Sequence, residues 1–244
     1  MILGVIPARY ESSRFPGKPL VDIKGKSMVE RVYEQCKKSH LLDEVLVATD
    51  DERIFSHVVM FGGKVEMTSS THQSGTERVC EIAKNYPAYS HYVNIQGDEP
   101  FLDPAQIDLL CKTLTNSRLP IATLIKPLRH VSQLESRDTA KVVIDHEHNA
   151  LYFSRLPIPY NRNRTDTAQW VAKNMYYLHL GIYGFERKVL LEIPNMKPSM
   201  MEQAESLEQL RWLANGYKIR TAITQNNSIS VDTPQDLRDL LENL

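Results

Sequence analysis

Up to Pro127 the chain alternates short apolar runs with segments of helical period, and this alternation limits the fold more than any other feature. Residues 2–6 form an unbroken apolar run, which reads as a strand buried on both faces. Ser27-x-x-Glu30 is a capping box, and Val29, Val32, Tyr33 and Cys36 behind it share one helical face. A strand over 45–49 ends in Asp50-Asp51, a helix over 54–61 closes at Gly62-Gly63, and a short strand follows over 64–67. Ser74-Gly75-Thr76-Glu77 opens another capped helix, to about 84, and a strand over 91–95 runs into Gln96-Gly97-Asp98-Glu99-Pro100. Asp103-Pro104, an N-cap with proline at the first helical position, opens a helix to about 117, and 121–125 reads as the next strand. Such repeated strand–helix–strand units predict an α/β fold with a mostly parallel sheet and helices on both faces.

The rhythm breaks after Pro127. Residues 141–144 and 150–153 flank a five-residue polar turn and read as an antiparallel hairpin. Residues 155–174 are polar and proline-punctuated, which predicts a mobile loop. A long strand is expected over 176–185, a helix over 204–215 ended by Asn215-Gly216, and a strand over 218–224. Asp232-Thr233-Pro234 is expected to cap a last helix. With no repeat, low-complexity stretch or linker, the chain reads as one domain over 1–244 carrying an inserted, partly antiparallel subdomain at about 128–200.

Composition narrows the partners. A net charge of −1 offers no global attraction to nucleic acid or to anionic membrane, so any positive site must be local. Met1 leads into the first apolar run without a basic segment or cleavage site, and no apolar run approaches the roughly 20 residues that span a bilayer. Cys36, Cys80 and Cys111 are odd in number and far apart, so they read as reduced, buried thiols in a cytoplasmic protein.

The local positive site is the stretch after the first strand. Arg9, Arg14 and Lys18 fall within ten residues, opposed only by Glu11 and interleaved with small and backbone-restricting residues. The phosphate-loop motif is absent: Gly25-Lys26-Ser27 imitates its end, but Leu20 stands where its first glycine is needed, and the dinucleotide fingerprint is missing too. Guanidinium forks and backbone N–H groups around Gly17 would still suit a triphosphate. Ligands of open parallel sheets bind beyond the carboxyl ends of the strands, where Asp98 is also expected. A carboxylate there suits a hard divalent cation, and Asp232 is either its second carboxylate or simply a helix cap. His72-Gln73-Ser74-Gly75-Thr76-Glu77-Arg78 would meet a base edge or is a plain capped helix. His179 and Tyr183 share a face of the long strand, where a lone histidine is more often structural; Glu208, Gln209 and Arg211 sit on a helix and are consistent with a solvated face, and Arg155 ends the hairpin, where a cation could reach the cleft. Glu99 is expected to make a structural contact.

Together these residues resemble one family. Ile-Pro-Ala-Arg-x-x-Ser-Ser-Arg-Phe-Pro-Gly-Lys-Pro-Leu, His-Gln-Ser-Gly-Thr-Glu-Arg, Asn-Ile-Gln-Gly-Asp-Glu-Pro, Ala-Leu-Tyr-Phe-Ser-Arg, His-Leu-Gly-Ile-Tyr, Leu-Glu-Gln-Leu-Arg and Val-Asp-Thr-Pro occur in that order between Ile6 and Pro234. The set is similar to the 3-deoxy-manno-octulosonate (Kdo) cytidylyltransferases. The resemblance implies a nucleotide-binding α/β domain with an inserted subdomain used in dimer formation and at the substrate. It implies the cytoplasmic reaction of CTP and Kdo to CMP-Kdo and pyrophosphate with Mg²⁺, which feeds lipopolysaccharide assembly. Carried onto this sequence, it implies that Ala8, Arg9, Ser13 and Lys18 contact CTP, with Arg9 and Lys18 on its phosphates. Ser74 and Gly75 would lie near the cytosine. Asp98 and Asp232 would hold Mg²⁺. Arg78, Gln96, His179, Tyr183, Glu208 and Gln209 would line the Kdo pocket, with Arg155 assisting. Arg14 receives no role. Thr71 stands where the family often has Asp, and Glu99 favours Kdo over 8-amino-Kdo, whose enzymes tend towards Gly-Asp-Gln-Pro. A cytidylyltransferase for 8-amino-Kdo or a sialic-acid-like sugar is the first alternative. A non-catalytic nucleotide-binding module is the second, opposed by the presence of Asp98, Asp232, Arg9 and Lys18.

Overall fold

A computed structural model describes residues 1–11, 14–163, 166–171, 176–226 and 229–244. The first half comprises β1 (Ile2–Ala8), β2 (Asp22–Ile23), β3 (Lys26–Ser27), α1 (Met28–Lys37), β4 (Glu44–Thr49), α2 (Glu52–Met60), β5 (Val65–Met67), α3 (Gly75–Asn85), β6 (His91–Asn94), α4 (Pro104–Asn116) and β7 (Ile121–Pro127). The second half comprises α5 (Val131–Glu135), β8 (Lys141–Ile144), β9 (Ala150–Ser154), α6 (Thr167–Val171), β10 (Tyr177–Glu186), α7 (Arg187–Glu192), α8 (Met200–Glu205), α9 (Gln209–Ala214), β11 (Ile219–Ile223) and α10 (Pro234–Glu242).

The main sheet runs β11-β7-β10-β6-β1-β4-β5, with β8 and β9 joined to it through β10. β1 lies in its interior, with no polar side chain to expose: it pairs in parallel with β4 on one side and β6 on the other. Its alternate residues feed two cores. Leu3 and Val5 pack towards the face holding Val79, Ile82, Leu190 and Trp212, whereas Ile2 and Ile6 pack towards Val29, Val32, Ile107 and Leu110. The caps expected from sequence start the helices: Ser27 Oγ accepts from Glu30 N at 3.2 Å, Ser74 Oγ from Glu77 N at 3.2 Å, and Asp103 Oδ1 from Ala105 N at 2.8 Å.

The exception to parallel order is β10, which runs antiparallel to both β6 and β7. The chain leaves β7, forms the antiparallel β8–β9 hairpin, and returns as β10 into the middle of the sheet. Tyr183–Glu186 pair with β6, while Tyr177 and Leu178 pair with β8 instead. The switch is made at a register shift between Leu180 and Tyr183. Side chains donate to the carbonyls at the shift. Gln96 Nε2 donates to Gly181 O at 2.7 Å, and Thr123 Oγ1 donates to Ile182 O at 2.8 Å. His179 Nε2 lies 3.1 Å from the same hydroxyl, which accepts from it in the Nε2–H tautomer.

Three expectations need correction. Part of 155–174 is ordered: α6 buries Trp170 and Val171 against Leu128, Leu134, Tyr176 and Leu178, because an aromatic and three aliphatic partners are available there. Residues 164–165 and 172–175 of that segment lie outside the described residues. The helix expected over 204–215 is two helices, α8 and α9, parted where Ser206 adopts a left-handed backbone at φ 51°. The last helix is capped by Thr233, whose side chain accepts from Asp236 N in a reciprocal box, and not by Asp232. Among the described residues no helix is long and apolar enough to cross a membrane.

Thr123 is fully buried, and its one hydroxyl proton serves the carbonyls at the bulge, Ile182 O at 2.8 Å and Leu180 O at 3.2 Å. Thr123→Val keeps the shape and removes the donor. It is expected to lower the unfolding free energy by about 1–3 kcal/mol in denaturant titration, with Thr123→Ser recovering most of the loss.

Candidate active site

Among the described residues, two concavities stand out. A groove of about 870 Å³ lies at the amino end of β6, beside Ser90, His91, Arg187, Glu192 and Tyr217. The smaller cleft, about 330 Å³, opens at the carboxyl ends of β1 and β6, which is where an open parallel sheet binds ligands. The cleft also gathers the motifs noted in the sequence.

Its first wall is built by the loop after β1. Gly17 takes a left-handed backbone at φ 72°, and its N–H donates to Tyr10 O at 2.9 Å. A Cβ at Gly17 would come within 3.1 Å of the Tyr10 ring, so a side chain there would meet both strain and contact. The turn delivers Lys18, half-buried, into the cleft. Its Nζ donates to Asp98 Oδ2 at 2.9 Å and to Asp232 Oδ1 at 3.0 Å. Arg14 Nη2 approaches the same Asp232 oxygen at 3.2 Å.

Each carboxylate is held by its own backbone. Gly97 turns the chain across the end of β1 so closely that a Cβ would lie 2.9 Å from Pro7 O, which only glycine permits. Asp98 O accepts from Val231 N at 2.9 Å, tying the loop after β6 to the segment before α10. With Thr233 serving as the cap, the Asp232 side chain turns into the cleft.

These two carboxylates suit a hard cation. They converge on one ammonium, so both already reach a single point of positive charge. Among the described residues no three acidic, histidine or cysteine side chains gather to enclose a metal, so the protein itself would supply two oxygen ligands. That is the donor set of Mg²⁺ sites completed by water and phosphate oxygens.

The opposite wall is Glu208. The break at Ser206 starts α9 at Gln209, and places Glu208 immediately before it, against the amino end of α3. Ser74 Oγ donates to Glu208 Oε1 at 3.0 Å and Thr76 Oγ1 to Oε2 at 2.6 Å. Burial pushes the Glu208 pKa above the ordinary carboxylate value, and these two hydroxyl donors oppose the rise. Beside it, the buried Tyr183 ring stands edge-on to Trp212 with centroids 4.8 Å apart. Burial and the Glu208 charge raise the Tyr183 phenol well above its usual pKa, so it is a donor at neutral pH.

Of the residues singled out in the sequence, the cleft is lined by Ala8, Arg9, Lys18, Ser74, Gly75, Arg78, Gln96, Asp98, Tyr183, Glu208 and Asp232. Arg78 is tethered there, because its guanidinium donates to Asp50 Oδ2 at 2.8 Å and to Thr68 Oγ1. Ser13 lies outside the described residues. Three others do not line the cleft. The His179 ring sits behind Tyr183, between it and Phe153, where burial depresses its pKa and keeps the imidazole neutral. Gln209 is buried behind Glu208. The Arg155 guanidinium is drawn away by carbonyls, donating to Glu205 O at 2.7 Å, Arg137 O at 3.0 Å and Ser206 O at 3.2 Å.

The sequence reading left out Arg14 and Asn94 as site residues and gave Thr76 only a place in a cap. A signal existed for Asn94, a polar residue at the carboxyl end of β6, the end where ligands of a parallel sheet bind. The division of labour between Asp232 and Thr233 is testable. Thr233→Ala is expected to cost about 1 kcal/mol of stability through the lost cap. Asp232→Asn is expected to leave the unfolding free energy within about 0.5 kcal/mol, because its carboxylate is partly exposed and caps nothing. Denaturant titration of both variants reads the difference.

Comparison with known proteins gives the family. The family model described as cytidylyltransferase matches residues 3–219. The 3-deoxy-manno-octulosonate cytidylyltransferase of Parabacteroides distasonis is 48% identical over 244 residues, covering 98% of this chain and 96% of that protein. The protein of the same name from Geobacter sulfurreducens is 46% identical over 248 residues, covering 100% of this chain and 99% of that one. The structure of a CMP:2-keto-3-deoxy-manno-octonic acid synthetase complexed with CTP superposes with TM-score 0.92 at 42% identity, over 99% of this chain and 97% of that one. The 4-diphosphocytidyl-2C-methyl-D-erythritol synthase of Anaerococcus prevotii, 13% identical with TM-score 0.62 over 99% of this chain and 95% of that one, shares the fold alone. By both sequence and structure, the chain belongs to the cytidylyltransferase family, among the 3-deoxy-manno-octulosonate cytidylyltransferases.

Proposed function

We propose that this protein transfers CMP from CTP to the anomeric hydroxyl of Kdo, releasing pyrophosphate, and that it uses Mg²⁺. The observation that carries the reading is the convergence of Lys18, Asp98 and Asp232 across a cleft from Glu208 and Tyr183. One wall is suited to phosphates and a cation, the other to a polyhydroxylated acid. CMP-Kdo made this way supplies lipopolysaccharide assembly.

The reaction is an in-line displacement at the α-phosphorus: the new bond joins the anomeric oxygen to phosphorus, the bond to pyrophosphate breaks, and the hydroxyl proton departs. Such transfers depend on positioning and charge neutralisation more than on covalent catalysis. Asp98 and Asp232 would hold the cation, and the chemistry that Mg²⁺ supplies when bound is polarisation of phosphate oxygens. Arg9, at the mouth of the cleft, and Lys18 would carry the charge of the leaving pyrophosphate. Ala8 and Gly75 bring backbone close to the nucleotide, with Ser74 beside the base. Glu208 accepts hydrogen bonds from the sugar acid, and Tyr183 donates one.

Three free, buried cysteines support a reducing, cytoplasmic setting. The hairpin and the segment after it expose Leu151, Leu156 and Tyr160, which supports homodimer formation through the insert. Sedimentation velocity is expected to give twice the monomer mass, and Leu156→Glu to shift it towards monomer.

A panel of sugar acids offered with CTP and Mg²⁺, read by pyrophosphate release, tests the activity. Kdo is expected to turn over fastest; preference for 8-amino-Kdo or a sialic acid, or CTP binding without turnover of any acid, would sink the reading. Asp98→Ala is expected to lower turnover about 10³-fold, the scale of several kcal/mol of lost cation-assisted stabilisation. Near-normal turnover in that variant would remove Asp98 from the cation site.

A further inference from the structure

Glu208 does not choose its own orientation. Its two carboxylate oxygens each accept one hydroxyl from α3, Ser74 on Oε1 at 3.0 Å and Thr76 on Oε2 at 2.6 Å. A carboxylate has about four lone-pair sites, so two donors fix its plane and leave sites over for a ligand. The two hydroxyls differ in how they are held. Ser74 Oγ is engaged as the α3 cap, accepting from Glu77 N at 3.2 Å. Thr76 is almost wholly buried, and its oxygen accepts from Asn94 Nδ2 at 3.4 Å. With that lone pair engaged, the single Thr76 proton is directed at Glu208.

Asn94 is buried too, and it is anchored in the sheet. Its backbone is paired with Val5 of β1 and with Tyr183 of β10, the second polar side chain of the same wall. The relay Asn94 to Thr76 to Glu208 therefore references one side of the cleft to the centre of the sheet. A threonine that served only to fill the first turn of α3 would need no hydroxyl partner on a different element.

We propose that Thr76, oriented by Asn94, is a positioning residue that sets the Glu208 carboxylate, and through it determines which hydroxyls of the sugar acid are accepted. This rests on the reading above that Glu208 faces the sugar acid. Thr76 touches neither reacting oxygen nor phosphorus; it acts through Glu208.

The test is steady-state kinetics on the full-length enzyme, varying Kdo at saturating CTP and CTP at saturating Kdo. Thr76→Val keeps the shape and removes the donor. It is expected to raise the KM for Kdo about 10- to 100-fold, the loss that follows from removing one hydrogen bond to a charged group, with the KM for CTP changed less than about twofold. Thr76→Ser is expected to return the KM for Kdo to within about threefold of the parent, and Asn94→Leu to shift it in the same direction by less.

A second readout is the pH profile. Loss of a hydroxyl donor favours the protonated carboxylic acid, so the acid limb of kcat/KM for Kdo is expected to move to higher pH in Thr76→Val. Tyr183, Arg211 and Glu202 also act on Glu208 and stay unchanged in that variant. An unchanged KM for Kdo, an equal rise for both substrates, or failure of serine to rescue would overturn the proposal. Should the valine variant not fold, Thr76→Ala is read by the same criteria. Glu208→Gln separates the two levels: if it leaves the KM for Kdo unchanged, the sugar pocket itself is misplaced, whereas a raised KM there with none in Thr76→Val refutes only the positioning role.

Discussion

The site depends on one ammonium group. Lys18 Nζ lies about 3 Å from carboxylates that are 80 and 214 residues away in the chain, so it draws the first loop, the middle of the sheet and the last helix to one point. Two carboxylates that close together repel, and the shared ammonium of Lys18 offsets that repulsion, while the backbone bond from Val231 N to Asp98 O holds them in register. The arrangement has a consequence for ligands. Whatever replaces the ammonium between these carboxylates must be positive, and the freed Lys18 stays within reach of whatever anion that cation brings.

The second constraint is the antiparallel strand. A purely parallel sheet would place only loops at the carboxyl ends of its strands. Inserting β10 between β6 and β7 instead puts the side of a strand, with Tyr183, against the cleft. At the register shift where β10 changes partners from β6 to β8, Thr123 of β7 and Gln96 of the loop after β6 donate to its carbonyls from either side. Gln96 belongs to both worlds: its amide repairs the sheet while its body lines the cleft. A change in the inserted segment is therefore felt in the geometry of the site.

Much of this was legible in the sequence because the signals are local. The apolar run of β1, the Ser74 cap and the Asp103-Pro104 start each depend on neighbours within a few residues, and each stands where expected. What was not legible depends on distant partners or on a single backbone choice. No propensity announces that Ser206 will go left-handed, yet that residue parts α8 from α9 and places Glu208. Arg155 looked like a cleft cation because it ends a hairpin, but the carbonyls of Arg137, Glu205 and Ser206 offer it a closer set of acceptors. Asp232 and Thr233 are equally good caps by composition. Only the fold decides that threonine takes the cap, which releases the carboxylate for Lys18.

Charge balance shows why the cleft needs more than its own residues to hold a nucleoside triphosphate. Arg9, Arg14, Lys18 and Arg78 line it against Asp98, Asp232 and Glu208. Arg78 is already paired with Asp50, just outside the lining, and Arg14 and Lys18 are paired with the two aspartates. What remains is close to neutral. A triphosphate brings about four negative charges, and a sugar acid one more, into a space of about 330 Å³. Field focusing in such a cleft favours whichever sign is in excess, and here neither is. A divalent cation between Asp98 and Asp232 would change this twice over, by adding two charges and by releasing Lys18 from its present pairing. The same side chains that hold the site together electrostatically are thus the ones whose exchange of partners would make it a polyanion site. Lys18 would then exchange one set of anions for another, and a lysine serves such an exchange better than an arginine. A flexible stem with a compact charge can move between carboxylate and phosphate, whereas a planar fork would favour a fixed bidentate pair.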